Sequence, residues 1–112
     1  MRQFQHAIVR RPCRAMVDGI TSAPELGKPI YELALEQHDA YIRALEQCGI
    51  EVSILDADEA FPDSCFIEDV AVLSKKCAVV TNPGAPSRNG EKRLIIDEIR
   101  KYYDEAAIHC IQ

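Results

Sequence analysis

The order of hydrophobic and turn-forming segments constrains the fold of this chain more than any single residue does. Twice, a strand-like segment leads through a loop rich in glycine and proline into a helical segment and then another short strand. This alternation is typical of α/β proteins, and its repetition is the pattern of a quasi-symmetric α/β array. No linker or low-complexity tract divides the 112 residues. We therefore predict a single α/β domain, although the repeat alone does not select a named architecture.

Turn and capping residues place the individual elements. Strands are predicted over residues 4–9, 51–55, 70–73, 77–80 and 107–111, and helices over about 29–48 and 91–103. Pro29 suits a first helical turn, where its missing N–H is not needed, and Gly49 suits the left-handed position after a helix. The first helix has one apolar face, formed by Ala34, His38, Tyr41, Leu45 and Cys48. The second is predicted to turn four side chains inward, those of Leu94, Ile95, Ile99 and Tyr102.

Composition excludes several classes of function. The net charge of −5 and the pI near 5.1 provide no basic stripe to meet phosphates, so we expect no nucleic-acid partner. No apolar stretch approaches the roughly 20 residues that cross a bilayer, and no signal-peptide pattern opens the sequence. We therefore expect no membrane partner and a cytoplasmic location.

The cysteines argue against a disulfide framework and against a metal site. Their number is odd and no two form a CxxC pair: Cys13, Cys48, Cys65, Cys77 and Cys110. Free thiols in a reducing compartment fit this pattern best, and most are expected to be small buried hydrophobic residues. The cysteines and histidines never cluster at ligand spacing, so no metal ligands are predicted.

The most informative segment is an acidic run inside an apolar context. Asp63, Glu68 and Asp69 lie within seven residues, interleaved with aromatic and β-branched side chains. The strand after them is apolar at every position and is predicted to be buried on both faces. Because neighbouring strand residues point to opposite faces, at least one of Glu68 and Asp69 should be covered. Covered carboxylates need a positive partner, and a ligand guanidinium fits two of them well.

The alternative for these acids is that they cap turns or pair with surface lysines and arginines, and the residues alone leave it open.

Arg88 has the same ambiguity. Its loop contains two prolines and two glycines, so it could hold the guanidinium rigidly for bidentate capture of a carboxylate. Otherwise Arg88 is an exposed residue just before a helix. The turn at Asp18-Gly19-Ile20 could present backbone carbonyls to a ligand.

Four motifs resemble the amino-terminal part of the dimethylarginine dimethylaminohydrolases, within the guanidine-modifying, amidinotransferase-like superfamily. They are RAMVDGI at 14–20, ALEQHDAY at 34–41, FPDSCFIEDVAV at 61–72 and PGAPSR at 83–88. The resemblance covers essentially the whole chain. It implies a five-bladed α/β propeller (pentein-like), of which residues 1–112 would be an incomplete domain with about the first two pseudo-repeats. It also implies hydrolysis of methylated arginine to citrulline and an alkylamine, with no cofactor.

The same resemblance implies the substrate-binding roles. Glu68 and Asp69 would hold the substrate guanidinium, Asp63 and the carbonyl of Ile20 its α-amino group, and Arg88 its α-carboxylate. The family's nucleophilic cysteine, general-base histidine and a further catalytic glutamate have no counterpart here. Cys65 does not replace the nucleophile, since its acidic neighbours disfavour the thiolate. No catalytic residue is therefore assigned, and the chain alone is expected to be inactive.

Two pseudo-repeats of a propeller would leave apolar surface exposed, because a repeat cannot bury its faces without neighbours. We therefore expect a homo-oligomer, or a need for a carboxy-terminal portion. Three hypotheses follow: part of a guanidine hydrolase, a non-catalytic module that binds arginine-like ligands, and a structural or interaction remnant. His38, on the apolar helix face, is expected to be a core residue with satisfied hydrogen bonds.

Overall fold

Two parallel strands joined by a helix form the first part of the molecule. The computed structural model describes residues 4–112, which fall into two compact units, Met1–Cys65 and Phe66–Gln112. In the first unit β1 (His6–Arg10) pairs in parallel with β2 (Glu51–Leu55), and Ala7 lies opposite Val52. The crossover that parallel pairing requires is provided by α1 (Tyr31–Gln47). The predicted βαβ order of this segment is confirmed.

The bounds of α1 agree with the sequence prediction to within two residues at its start. Ile30 caps the helix without a side-chain hydrogen bond, so Pro29 lies just outside it, and Gly49 follows the helix with φ of 79°. The predicted inward face is partly wrong. Tyr41 is 53% exposed and Cys48 is exposed, whereas Ile42 is 4% exposed. Ile42 lies four residues after His38, about one helical turn, so the two side chains share the less exposed face of the helix.

The second unit contains a three-stranded mixed sheet. Its strands are β3 (Ala71–Leu73), β4 (Ala78–Val80) and β5 (Ile108–Cys110), in that spatial order. The β3–β4 pair is the predicted hairpin, and β4 pairs in parallel with β5 through α2 (Lys92–Ile99). Both units thus contain a parallel pair with one crossover helix, which confirms the α/β class.

The core of the second unit lies between the central strand and α2. Ala78, Val80, Ile95 and Ile99 are each no more than 3% exposed. Two expectations for this unit are wrong. The helix ends at Ile99, so Tyr102 is 41% exposed. Val72 on the edge strand β3 is 61% exposed, so this strand is not buried on both faces.

Candidate functional site

In the first unit, a turn and a loop bring Ile20 and Asp63 together. The Ile20 N–H donates to Oδ2 of Asp63 over 3.1 Å. The turn follows a 3-10 helix, Arg14–Asp18, which closes with the Gly19 N–H on the Met16 carbonyl at 3.0 Å. Asp63 lies in the loop after β2 and is half-buried. The structure therefore joins the two residues that the sequence analysis assigned to one ligand group.

A second acidic residue, Glu59, fixes the start of that 3-10 helix. Its two carboxylate oxygens accept the backbone N–H groups of Arg14 and Ala15 at 3.0 and 2.9 Å. Sequence analysis did not single out Glu59, although a carboxylate is a common acceptor for the free N–H groups at a helix start. Its contacts anchor the segment that carries Ile20 to the loop that carries Asp63.

Cys13, beside this segment, has no nucleophilic character. Its side chain is 1% exposed, and the thiol lies 3.7 Å from the Phe61 carbonyl. Burial and then the charge of Glu59 raise the pKa of the Cys13 thiol, which keeps it protonated. All five cysteines are free thiols, as predicted, but Cys13 alone among them is buried, so the expectation that most are buried hydrophobic residues is wrong.

In the second unit, Glu68 and Asp69 lie in a 3-10 turn, Ile67–Asp69, directly before β3. They are not strand residues, so the argument that placed them on opposite strand faces is wrong. Glu68 is exposed, and the Asp69 side chain is 54% exposed. The prediction that one of them is covered is also wrong, because the following residue, Val70, takes the inward position at 3% exposure.

Arg88 is held within its own unit rather than exposed. Its side chain is only 12% exposed, and Nη1 lies 2.6 Å from Oδ2 of Asp69. Nε and Nη2 donate to the two oxygens of Glu91, each over 2.9 Å, and Nη2 also donates to the Phe66 carbonyl at 3.1 Å. The hydrogen bond to Glu91, and secondarily that to Asp69, raises the pKa of the guanidinium, so Arg88 stays charged. The exposed alternative is wrong for Arg88.

Local contacts explain why Arg88 reaches Asp69. Arg88 belongs to a 3-10 helix, Pro86–Glu91, whose proline stands at the first position. At the start of the loop, Thr81 Oγ1 donates to the Asp69 carbonyl at 2.5 Å. The loop then closes on itself through Asn89 Nδ2 and Asn82 Oδ1, which are 2.6 Å apart. Sequence analysis missed Glu91, whose only signal was its position three residues after Arg88.

Within Glu68's unit, the described residues make no hydrogen bond or ion pair to its carboxylate. The unit thus presents one unpaired exposed carboxylate, one carboxylate bound to arginine, and a rigid guanidinium. Such a set suits a small ligand that carries both charges.

His38 differs from the expectation of a satisfied core residue. It is half-buried, but its buried Nδ1 has no hydrogen-bond partner among the described residues. Burial and then the charge of Arg11 lower its pKa, while Asp39 opposes the shift.

Among residues 4–112 no three histidine, cysteine, aspartate or glutamate side chains are grouped as metal ligands. In the same part of the chain, no helix is long and apolar enough to span a bilayer.

Each unit is thus an α/β unit with one parallel strand pair and one crossover helix. A family model described as "N,N dimethylarginine dimethylhydrolase, eukaryotic" matches residues 21–109, and the chain belongs to this family. An N(G),N(G)-dimethylarginine dimethylaminohydrolase of Pseudomonas aeruginosa is 50% identical over 100 residues, 89% of this chain and 39% of the relative. The Streptomyces coelicolor enzyme of the same name is 42% identical over 85 residues, 76% of this chain and 33% of the relative. The chain thus spans about two fifths or less of their length.

Among solved structures, too, the chain is similar to a dimethylarginine dimethylaminohydrolase. A cysteine-to-serine mutant of the Pseudomonas aeruginosa protein, complexed with citrulline, superimposes with a TM-score of 0.95 at 46% identity. The match covers 99% of this chain and 43% of that one. The amino-terminal domain of ArgZ, a cyanobacterial arginine dihydrolase, matches with a TM-score of 0.79 at 15% identity, which is a likeness of fold alone.

Proposed function

We propose that the protein carrying this chain hydrolyses methylated arginine to citrulline and an alkylamine, and that these residues bind the substrate. The observation that carries the proposal is the pairing of a rigid, charged Arg88 with Asp69 beside an exposed Glu68. A methylarginine has a cationic guanidinium, a carboxylate and an amino group, so its recognition needs groups of both signs. The solved complex of the Pseudomonas aeruginosa relative with citrulline supports this class of ligand.

Glu68 and Asp69 are proposed to bind the substrate guanidinium. Glu68 has no partner within its unit, and more than half of the Asp69 side chain is accessible. A planar guanidinium donates in parallel to carboxylate oxygens, which makes two adjacent acids a suitable receptor. Exposure does not prevent this role, because an incoming cation can offset the charge of exposed acids as well as that of buried ones.

Asp63 and the Ile20 carbonyl are proposed to bind the α-amino group. The hydrogen bond from the Ile20 N–H to Asp63 fixes the orientation of both groups. Arg88 is proposed to bind the α-carboxylate, the role that the family resemblance implies for it, and the contacts with Glu91 and Asp69 hold its guanidinium in place. These roles rest on the family resemblance, and the contacts inside each unit support them.

The proposal extends to architecture. Each unit has a parallel strand pair with one crossover helix, and the chain spans 39% of the Pseudomonas aeruginosa relative. We therefore infer two pseudo-repeats of a five-bladed α/β propeller, in which residues 1–112 form an incomplete part of one domain. On this view the nucleophile comes from a carboxy-terminal portion outside these residues.

Calorimetry with L-arginine tests the binding assignment. The parent chain should bind, and so should the control variant Asp97→Asn, because Asp97 is 91% exposed and pairs with Arg100. Asp69→Asn should weaken binding by about tenfold or more, the loss expected for one hydrogen bond between charged groups. Absence of binding by every form would contradict the proposal and leave a structural role.

A parallel assay of citrulline release from dimethylarginine tests the catalytic assignment. The chain alone should release none, because the family's nucleophilic cysteine has no counterpart among these residues and the buried Cys13 thiol is held protonated. Release by the chain alone would overturn the assignment of the nucleophile to residues outside it.

A further inference from the structure

Glu91 is a buried acid that the proposed binding roles do not use. Its side chain is 3% exposed, and it ends the 3-10 helix Pro86–Glu91 immediately before α2. A buried carboxylate is strongly unfavourable unless it is paired and hydrogen-bonded. The partner here is Arg88, through two parallel hydrogen bonds of 2.9 Å.

The geometry of this pair restricts the guanidinium. Glu91 accepts from Nε and Nη2, so it occupies one edge of the planar group, and the Phe66 carbonyl accepts from Nη2 as well. The opposite nitrogen, Nη1, is the one directed at Asp69. A bidentate contact fixes the plane as well as the position of an arginine side chain. Glu91 therefore determines which nitrogen of Arg88 meets Asp69.

Arg100 in the same unit makes a bidentate contact of the same kind, from Nε and Nη2 to the two oxygens of Glu105 at 3.1 and 3.2 Å, but this contact is not buried. Arg100 contacts Asp97 and Glu105, yet its own side chain is 50% exposed. Exposed pairs of this type contribute little and restrain their partners weakly. The Arg88–Glu91 pair is different because both side chains are excluded from water, at 12% and 3% exposure.

We propose that Glu91 is a positioning residue that sets the plane of the Arg88 guanidinium and, through it, the orientation of Asp69 for ligand recognition. The inference rests on the proposed function, since it assigns the support of the same site. Glu91 itself does not touch the ligand. A merely structural Glu91 would instead join the 3-10 helix to α2 without affecting ligand choice.

The first test reads Arg88 directly and needs no ligand. The Nε–H signal of Arg88 in a nitrogen-15 spectrum of the full chain should be well resolved and slow to exchange with water. In Glu91→Gln this exchange should accelerate by about tenfold or more, because one acceptor oxygen is replaced by a donor. Glu91→Asp keeps the charge and should recover part of the protection, and the dispersion of the amide signals checks that each variant is folded.

Glu98→Gln is the matched control. Glu98 lies on α2, its side chain is 9% exposed, and it pairs with Lys101 rather than with Arg88. Exchange at the Arg88 Nε–H should be unchanged in this variant. An unchanged Arg88 signal in Glu91→Gln, or an equal change in Glu98→Gln, would overturn the inference.

The second test compares L-arginine with agmatine, which lacks the α-carboxylate. Glu91→Gln should weaken L-arginine binding by about tenfold, and Glu91→Asp should restore part of the lost affinity. Glu98→Gln should bind L-arginine as the parent chain does. A displaced Arg88 signal with unaltered arginine affinity would overturn the positioning role. If the parent chain binds neither ligand, the proposed function fails, whereas the spectroscopic result still decides whether Glu91 fixes Arg88.

Discussion

The Ile20 N–H donates to Oδ2 of Asp63 at 3.1 Å. Gly19, which separates Ile20 from the preceding 3-10 helix, has no room for a side chain. A Cβ atom at position 19 would overlap Oδ1 of Asp63 and would lie 3.1 Å from the Met16 carbonyl. Gly19 has φ of −64°, so glycine is needed here for close approach and not for backbone conformation. The same glycine lets the carboxylate come close to the turn.

Replacement of Gly19 by alanine should therefore displace Asp63. We expect weaker binding of L-arginine, by about tenfold if one hydrogen bond to a charged group is lost. Calorimetry on Gly19→Ala and Gly84→Ala checks this, because a Cβ at position 84 would meet no atom within 4 Å. Equal affinity in the two variants would show that the Asp63 contact does not matter for binding.

Removal of Arg88 should reveal which ligand group it binds. Arg88→Ala is expected to weaken L-arginine far more than agmatine, since only the former has an α-carboxylate for the guanidinium. Competition binding with the two ligands provides the measurement, and Arg100→Ala is the control because that arginine is 50% exposed and contacts Asp97 and Glu105. An equal loss for both ligands would refute carboxylate binding by Arg88.

His38 should make folding stability depend on pH near neutrality. Burial and then the charge of Arg11 lower its pKa in the folded state, so the unfolded chain takes up the proton first as the pH falls. The contribution of His38 is fully present above its ordinary pKa of about 6.5 and is lost as the pH falls below it. Urea unfolding at pH 7 and pH 5 should show a larger loss for the parent chain than for His38→Gln.

His109→Gln provides the control for that measurement, since it removes an exposed imidazole and leaves the half-buried one of His38 in place. Asp39 does not confuse the result. The hydrogen bond from Arg11 lowers the pKa of Asp39, which moves its titration away from the range of a histidine. If His38→Gln kept the full pH dependence, another group would be responsible.

Ile99 should be the most sensitive core position of the second unit. It is 0% exposed at the end of α2, so Ile99→Ala should cost about 2–5 kcal/mol of unfolding free energy through lost burial and a cavity. Leu26 is 83% exposed, so Leu26→Ala should change the free energy of unfolding by no more than about 0.5 kcal/mol. Chemical denaturation measures both, and similar losses would show that Ile99 does not anchor the core.

The local pattern of the chain was sufficient for the order of the strands and the two α-helices. Proline and glycine positions bounded α1, and Gly49 adopts the predicted left-handed conformation. The hairpin at Ser74 was predictable because two short apolar runs flank three polar residues, and Ser74 Oγ accepts the N–H of Cys77 at 3.1 Å. These features depend on neighbours in the sequence, so sequence alone determines them.

Exposure was harder to predict, because it depends on what lies over a residue. The apolar run before Ser74 suggested a strand buried on both faces, yet Val72 lies on an edge strand and is 61% exposed. Tyr41 and Ile42 are adjacent on α1, and hydropathy did not distinguish which of them is covered. Glu68 and Asp69 turned out to lie in a 3-10 turn, which a pattern of period two cannot reveal.

The sequence by itself determined the alternation of strands and helices, the family motifs, and the identity of the charged residues, because each of these is encoded in a short stretch of chain. Only the tertiary structure decided that Arg88 lies between Asp69 and Glu91, and that Gly19 makes room for Asp63. Such contacts join residues that loops bring together, and the net energy of pairing charges depends on how far both are removed from water.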